Sequence, residues 1–156
     1  MHPPGSQSAP APPPARSSPA HSRLAALQPG AAPSPVHVYA LDATNLFNPD
    51  ITVFGARIAG ELVGVGAMRK LDEHHAELKS MHTLAKSRGS GVGRAMVAHI
   101  EDFARSSGIE RMSLETGTNE AFKPARELYK SLGYRSCDAF GDYVLSEDNM
   151  CMTKFI

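Results

Sequence analysis

The sequence lacks tryptophan, has only two cysteines and carries no excess of either charge. Its 156 residues include 16 Lys or Arg and 16 Asp or Glu, so the formal net charge is zero. Proteins that bind nucleic acid usually show a basic patch, and the balanced charge argues against such a partner. Cys137 and Cys151 fit no metal-ligand spacing. We expect reduced thiols, and neither a metal centre nor a disulfide framework.

Long apolar runs are also absent. No run approaches the roughly 20 residues that a transmembrane helix needs, and prolines interrupt every apolar stretch near the N-terminus, which argues against a secretory signal. We therefore expect a cytoplasmic protein without a membrane partner. His74 and His75 follow two acidic residues, and we interpret them as part of a polar turn, with no bound metal.

Proline is distributed very unevenly. Residues 1–35 hold ten of the twelve prolines and no acidic residue. Such a composition buries too little apolar surface to offset the entropy of ordering. The sequence thus predicts a disordered Pro/Ala/Ser-rich tail over 1–35 and one folded domain over 36–156.

Hydrophobic periodicity predicts an α/β fold for this domain. A strand, a helix and a strand follow one another between residues 76 and 115, which implies a parallel pair with a right-handed crossover. The last two strands are expected to be antiparallel. The predicted strands are 36–41, 51–58, 62–68, 76–83, 109–115, 134–137 and 150–155, and the predicted helices are 91–106 and 121–132.

Two of these strands carry informative residues. Gly64 and Gly66 lie on one face of their strand, which leaves that face open to close packing or to a ligand. Simple alternation along 76–83 predicts one face with Leu78 and Ser80, and the other with Glu77, Lys79 and Met81.

The most informative segment follows this strand and opens a helix. It has the pattern R-x-x-G-x-G, given by Arg88, Gly91 and Gly93. Glycines at a helix N-terminus leave backbone N–H groups free at the positive end of the helix dipole, which suits a phosphate or pyrophosphate. A dinucleotide fingerprint is a poor match because Met96 stands where its third glycine belongs, and no Gly-Lys pair supports a nucleoside triphosphate loop.

This loop resembles the coenzyme A pyrophosphate loop of the GNAT superfamily of N-acetyltransferases, and the resemblance runs from about residue 51 to the end of the chain. It implies a mixed, mostly antiparallel sheet with a parallel β-α-β centre, flanked by helices. It makes 36–156 the acetyltransferase domain. The segment at 140–143 resembles a small bacterial-type subgroup. The matching segments are 77–83, 88–94, 114–117 and the L-Y-x-x-x-G-[FY] motif at 128–134.

The resemblance implies that acetyl-CoA is the cosubstrate. Its pantetheine arm would pair with the backbone of Met81, His82 and Thr83. Asn119 and Tyr129 match positions that touch the coenzyme in relatives. The pyrophosphate would bind the loop formed by Arg88, Gly89, Ser90, Gly91, Val92, Gly93 and Arg94.

The resemblance also implies direct attack of an amine on the acetyl carbonyl. A carboxylate must accept the proton of the amine; Glu115 aligns with the base of some relatives, and Glu77 is the competing candidate. Tyr129 matches the tyrosine that protonates the leaving thiolate. With Asp142, the two glutamates would favour a cationic acceptor.

The expected function is therefore acetyl-CoA-dependent transfer to a primary amine of a small molecule or a peptide. The alternative is a coenzyme A-binding domain with little or no turnover, because the N-terminal strand and helices that wall the acceptor site in this superfamily are replaced by the tail. A nucleotide-binding module is a weaker third hypothesis. An exposed sheet edge would favour a homodimer.

Overall fold

The computed structural model describes residues 35–41 and 48–156. The predicted tail lies almost wholly outside the described residues. No helix in the described part is long and apolar enough to cross a membrane. The described elements are β1 (Val36–Ala40), β2 (Ile51–Ile58), β3 (Glu61–Lys70), β4 (His75–Thr83), α1 (Val92–Ser106), β5 (Arg111–Gly117), α2 (Lys123–Ser131), β6 (Arg135–Cys137) and β7 (Asn149–Phe155).

The strands form one seven-stranded sheet in the order β1-β2-β3-β4-β5-β7-β6. Only the β4–β5 pair is parallel, and α1 connects these two strands. All other pairs are antiparallel, including β6 with β7. The predicted fold class is therefore confirmed, with its parallel β-α-β unit at the centre of the sheet.

The predicted boundaries differ most around β5. This strand runs from Arg111 to Gly117, opposite Asn149 of β7, and is therefore displaced by two residues at each end from the predicted 109–115. A 3-10 turn over Glu120–Phe122 occupies the start of the helix predicted at 121–132, and α2 itself begins at Lys123. Pro124 lies in its first turn, where a helix tolerates proline.

Helix α1 forms the main apolar layer on one face of the sheet. Val92, Met96 and Ile100 are buried against it, and burial of each such side chain contributes about 1.5–3 kcal/mol. The contact is close because a Cβ at Gly66 would lie 2.9 Å from Met96 Cε and 2.5 Å from Met81 Sδ. Of the two alternatives predicted for the face with Gly64 and Gly66, the structure shows close packing, with helix α1 against it.

The face prediction for β4 is wrong from Ser80 onward. Ser80 has a φ of 56°, and the β3–β4 register shifts at the same point. This β-bulge inserts one residue and reverses the alternation that follows it. Met81 consequently packs against the same core as Leu78, whereas Ser80 is exposed.

A buried carboxylate joins α1 to β7. Glu101 is 4% exposed, and Lys154 Nζ lies 2.8 and 3.0 Å from its two oxygens. The hydroxyl of Tyr134 donates to the same carboxylate over 3.3 Å, and Arg105 lies 3.5 Å from it. Burial, reinforced by the charge of Glu101, raises the pKa of Tyr134, which keeps this hydroxyl a donor.

Candidate active site

A cleft opens between the two parallel strands. β4 and β5 pair at only three positions, and the last of these joins Glu77 to Ser113. Beyond it, β4 continues to Thr83 alongside β3, while β5 continues to Gly117 alongside β7. The facing edges of β4 and β5 therefore separate, and their backbone groups are available to a ligand between them.

The glycine loop lies at the open end of this cleft. Helix α1 begins at Val92, and Gly91 before it has a φ of 83°, a conformation that favours glycine. Among the described residues, no hydrogen-bond acceptor faces the N–H groups of Gly91, Val92, Gly93 and Arg94. These unbonded N–H groups can therefore donate hydrogen bonds to an anion at the helix N-terminus.

The two arginines of the loop have different surroundings. Arg94 Nη2 donates to Ser131 Oγ of α2 over 2.8 Å. Arg88 Nε lies 3.3 Å from the carbonyl oxygen of Thr83, the last residue of β4. Arg94 therefore links the start of α1 to α2, and Arg88 stays beside the end of the cleft.

The candidate bases lie on the sheet face opposite α1. Glu77, at 2% exposure, accepts a hydrogen bond from the hydroxyl of Tyr143. Glu115 is half-buried and lies opposite Cys151 of β7. Burial, the hydrogen bond to Glu77 and the negative charges of both glutamates raise the pKa of Tyr143. The structure thus brings the two predicted carboxylates together around one tyrosine.

Tyr129 lies on the other side of the sheet. It belongs to the core beneath α1 and α2, and its ring meets that of Tyr134 edge-on at a centroid distance of 5.9 Å. Burial raises the pKa of Tyr129, so the phenol stays protonated. Tyr129 and Glu77 therefore lie on opposite faces of the sheet that β4 and β5 belong to.

Asn119 makes a hydrogen bond within its own loop. Its side-chain oxygen accepts from the N–H of Ala121 and caps the 3-10 turn at Glu120–Phe122. Arg126 Nη1 donates to the carbonyl oxygens of Asn119 and Gly117, at 2.8 Å each. The residue therefore shapes the connection from β5 to α2.

Sequence reasoning missed the part of the site contributed by the loop before β7. Phe140 and Tyr143 pack ring against ring at 5.1 Å, and Phe140 also contacts His75 at 5.9 Å. His75 Nε2 lies 2.7 Å from Ser113 Oγ, which lies 2.9 Å from Thr153 Oγ1. The signal in the sequence was the segment at 140–143, which was noted for a family resemblance and for the charge of Asp142, with no role assigned to Phe140 or Tyr143. Cys137 and Cys151 are free thiols opposite one another on β6 and β7.

A cavity of about 300 Å3 lies beside Glu77 at the closed end of the cleft. It is within the size range of small-molecule sites. Its lining combines one cationic, two anionic and three uncharged residues: Arg69, Glu77, Asp142, Leu71, Gly141 and Tyr143.

Comparison with known proteins agrees with this architecture. The Acetyltransferase (GNAT) family matches residues 21–134. The uncharacterized N-acetyltransferase YsnE of Bacillus subtilis is 42% identical over 120 residues, which cover 77% of this chain and 80% of YsnE.

Solved structures show the same fold. The putative acyl-CoA N-acyltransferase of Klebsiella pneumoniae has a TM-score of 0.68 at 22% identity, over 77% of this chain and 97% of that protein. A GNAT family acetyltransferase of Elizabethkingia anophelis, solved with acetyl-CoA bound, has a TM-score of 0.63 at 13% identity, over 78% of this chain and 98% of that one. The glycine loop with its unbonded N–H groups and the open β4–β5 cleft agree with these matches. The family match and the relative at 42% identity show that the chain belongs to the GNAT acetyltransferase family and is an N-acetyltransferase.

Proposed function

We propose that the protein transfers the acetyl group of acetyl-CoA to the primary amine of a small molecule or peptide by direct attack. The observation that carries this proposal is the separation of β4 from β5 directly after the Glu77–Ser113 pair, with the glycine loop at the open end. Acetyl-CoA supplies an activated acetyl thioester, and a fold neighbour is known with acetyl-CoA bound.

The chain offers suitable groups along the whole cleft. The unbonded N–H groups from Gly91 to Arg94, with Arg88 beside them, suit a pyrophosphate. The free edge of β4 from Met81 to Thr83 can pair with the amides of a pantetheine arm, as one strand pairs with another. These contacts would orient the thioester toward the closed end of the cleft, where proximity alone lowers the barrier substantially.

A base is required because a primary amine is protonated near neutral pH. Glu77 and Glu115 both face the cleft from the side opposite α1. We assign the base to Glu77, since it belongs to the last pair before the strands separate and also borders the cavity. Glu115, next to Tyr143, would then contribute negative charge that favours a cationic amine.

The departing thiolate needs a proton or a hydrogen bond. Tyr129 is the candidate on the α1 side, because its hydroxyl is held in the neutral form by burial. The ammonium loses two protons on becoming an amide. Glu77 would take the first before attack and release it to solvent, and Tyr129 would give its proton to the thiolate as the C–S bond breaks. The second nitrogen proton would then restore the phenol, so that the products are an amide, free coenzyme A and one released proton.

Thermal unfolding with and without acetyl-CoA tests coenzyme binding. A ligand at a hundred times its Kd stabilises the folded state by about 2.7 kcal/mol, so the unfolding midpoint should rise by several degrees. Arg88→Glu should abolish the rise. The matched charge reversal Lys70→Glu should keep it, because Lys70 lies opposite Ala76 at the start of β4, away from the loop.

Release of free thiol from acetyl-CoA over a panel of amines tests turnover. Amine-dependent thiol release, with the acetylated amine identified by mass, supports the proposal. A midpoint rise without release on any amine would instead support a coenzyme A-binding domain with little or no turnover. Acetylation of alcohols or thiols but of no amine would overturn the assignment of the acceptor.

A further inference from the structure

The cavity beside Glu77 presents charges of both signs on one face of the sheet. Arg69 of β3 lies directly opposite Glu77 of β4 in the antiparallel register, so their side chains project from the same face. Both line the cavity. In the described part of the chain, no carboxylate forms an ion pair with Arg69. The guanidinium is thus free to bind an anion.

The cavity is also in the right place for an acceptor. Glu77 forms its inner wall and at the same time closes the β4–β5 cleft. A molecule in the cavity therefore lies beside both the candidate base and its cross-strand neighbour Arg69. Asp142 adds a second carboxylate to the lining. The two carboxylates attract an ammonium group, and Arg69 is the cationic residue of the lining that can bind an anion.

We propose that the acceptor is an aminocarboxylate of amino-acid size, with its amine at Glu77 and its carboxylate bound by Arg69. This inference rests on the proposed function and specifies its substrate class. A guanidinium holds a carboxylate with two parallel N–H···O bonds, a geometry that a lysine cannot reproduce. A volume of about 300 Å3 accommodates a free amino acid.

Matched pairs of acceptors test the role of the carboxylate. Leucine is compared with 3-methylbutylamine and phenylalanine with 2-phenylethylamine, which differ only in the carboxylate. Because a hydrogen-bonded charge pair is strong, we expect kcat/KM to be roughly ten- to a hundredfold higher for the amino acid in each pair. Arg69→Met should remove that preference, so that kcat/KM for the amino acid falls to about the value for the plain amine in the same variant. Lys70→Met is the control, because the neighbouring residue projects from the opposite face and should leave both values unchanged.

Equilibrium binding separates this inference from the proposed function. Calorimetric titration of leucine into the coenzyme A-loaded protein should show binding that Arg69→Met abolishes and Lys70→Met retains. Binding of this kind without thiol release would support the site while contradicting the acetyl transfer. Equal use of amino acids and amines, an equal loss on both acceptors in Arg69→Met, or the absence of both binding and turnover with every amino acid would overturn the inference.

Discussion

The hydroxyl of Tyr143 donates a hydrogen bond to the carboxylate of Glu77, and so joins two residues 66 positions apart in the chain. Glu77 is almost completely buried, and a buried carboxylate without a donor is costly. The bond therefore serves two purposes. It satisfies the carboxylate, and it holds the loop before β7 over the closed end of the cleft.

Removing this donor should affect both the base and the loop. We expect Tyr143→Phe to lower kcat/KM about tenfold, the effect of losing one hydrogen bond to a charged group. The variant retains the ring that contacts Phe140, so its far-ultraviolet circular dichroism should match that of the wild type. An unchanged kcat/KM would show that this bond plays no part in the reaction.

The two carboxylates should differ in their contribution to the rate. With Glu77 as base, Glu77→Gln should lower kcat about 10²- to 10⁴-fold, because a positioned general base contributes about that much. Glu115→Gln should act mainly on KM for a cationic amine. Both changes preserve shape and remove charge, so each is the control for the other. A larger loss of kcat in Glu115→Gln would reverse the assignment.

Tyr129 should act as a neutral donor over a wide pH range. Because burial raises its pKa above the ordinary value near 10, any alkaline loss of activity due to Tyr129 should begin above pH 10. We expect Tyr129→Phe to lower kcat roughly tenfold or more with little change in the midpoint shift given by acetyl-CoA. Rates of wild type and variant between pH 7 and 10 measure this, and a Tyr129-dependent decline near pH 8 would contradict it.

Local patterns in the sequence were enough to predict the central elements of the fold. Helix α1 and its glycine loop follow from helical spacing and from the backbone freedom of Gly91, both of which act within a few residues. The parallel β4–β5 pair then follows from the general handedness of strand–helix–strand units.

The parts that sequence reasoning missed depend on contacts between distant segments. The bulge at Ser80 shifts the register between β3 and β4, so that the side chains after it point to the opposite face from the one that simple alternation predicts. Nothing in the sequence of β4 signals this shift. The Tyr143–Glu77 bond and the cavity with Arg69 exist only once β3, β4 and the loop before β7 have met. The site was therefore predicted as separate residues, and its arrangement came from the structure.

The buried ion pair between Lys154 and Glu101 should be important for stability. Lys154→Met leaves a carboxylate of 5% side-chain exposure whose remaining partners in the described part of the chain are Arg105 and Tyr134. We expect the free energy of unfolding to fall by about 2–3 kcal/mol, somewhat less than for a buried pair with no other partner. Urea unfolding of the single and double variants measures this. The double variant Lys154→Met/Glu101→Leu should recover most of the loss, because it buries no unpaired charge.

His75 should make stability depend on pH in a known direction. Burial, followed by the positive charge of Arg111, lowers its pKa below the ordinary value near 6.5. Well above pH 6.5 the imidazole is neutral in both the folded and the unfolded state and has no effect. As the pH falls below 6.5, the unfolded chain binds this proton first, so the free energy of unfolding decreases until the folded-state pKa is passed.

The test compares urea unfolding of the wild type and His75→Gln at pH 7.5, 6.5 and 5.5. The variant should lose less stability than the wild type between pH 7.5 and 5.5, because it lacks the titrating ring, while glutamine can still hydrogen-bond toward Ser113. His74→Gln is the matched control, since the neighbouring His74 is exposed in the same turn and its replacement should leave the wild-type slope unchanged. If His75→Gln and the wild type lost stability equally on acidification, the imidazole of His75 would contribute nothing to the pH dependence.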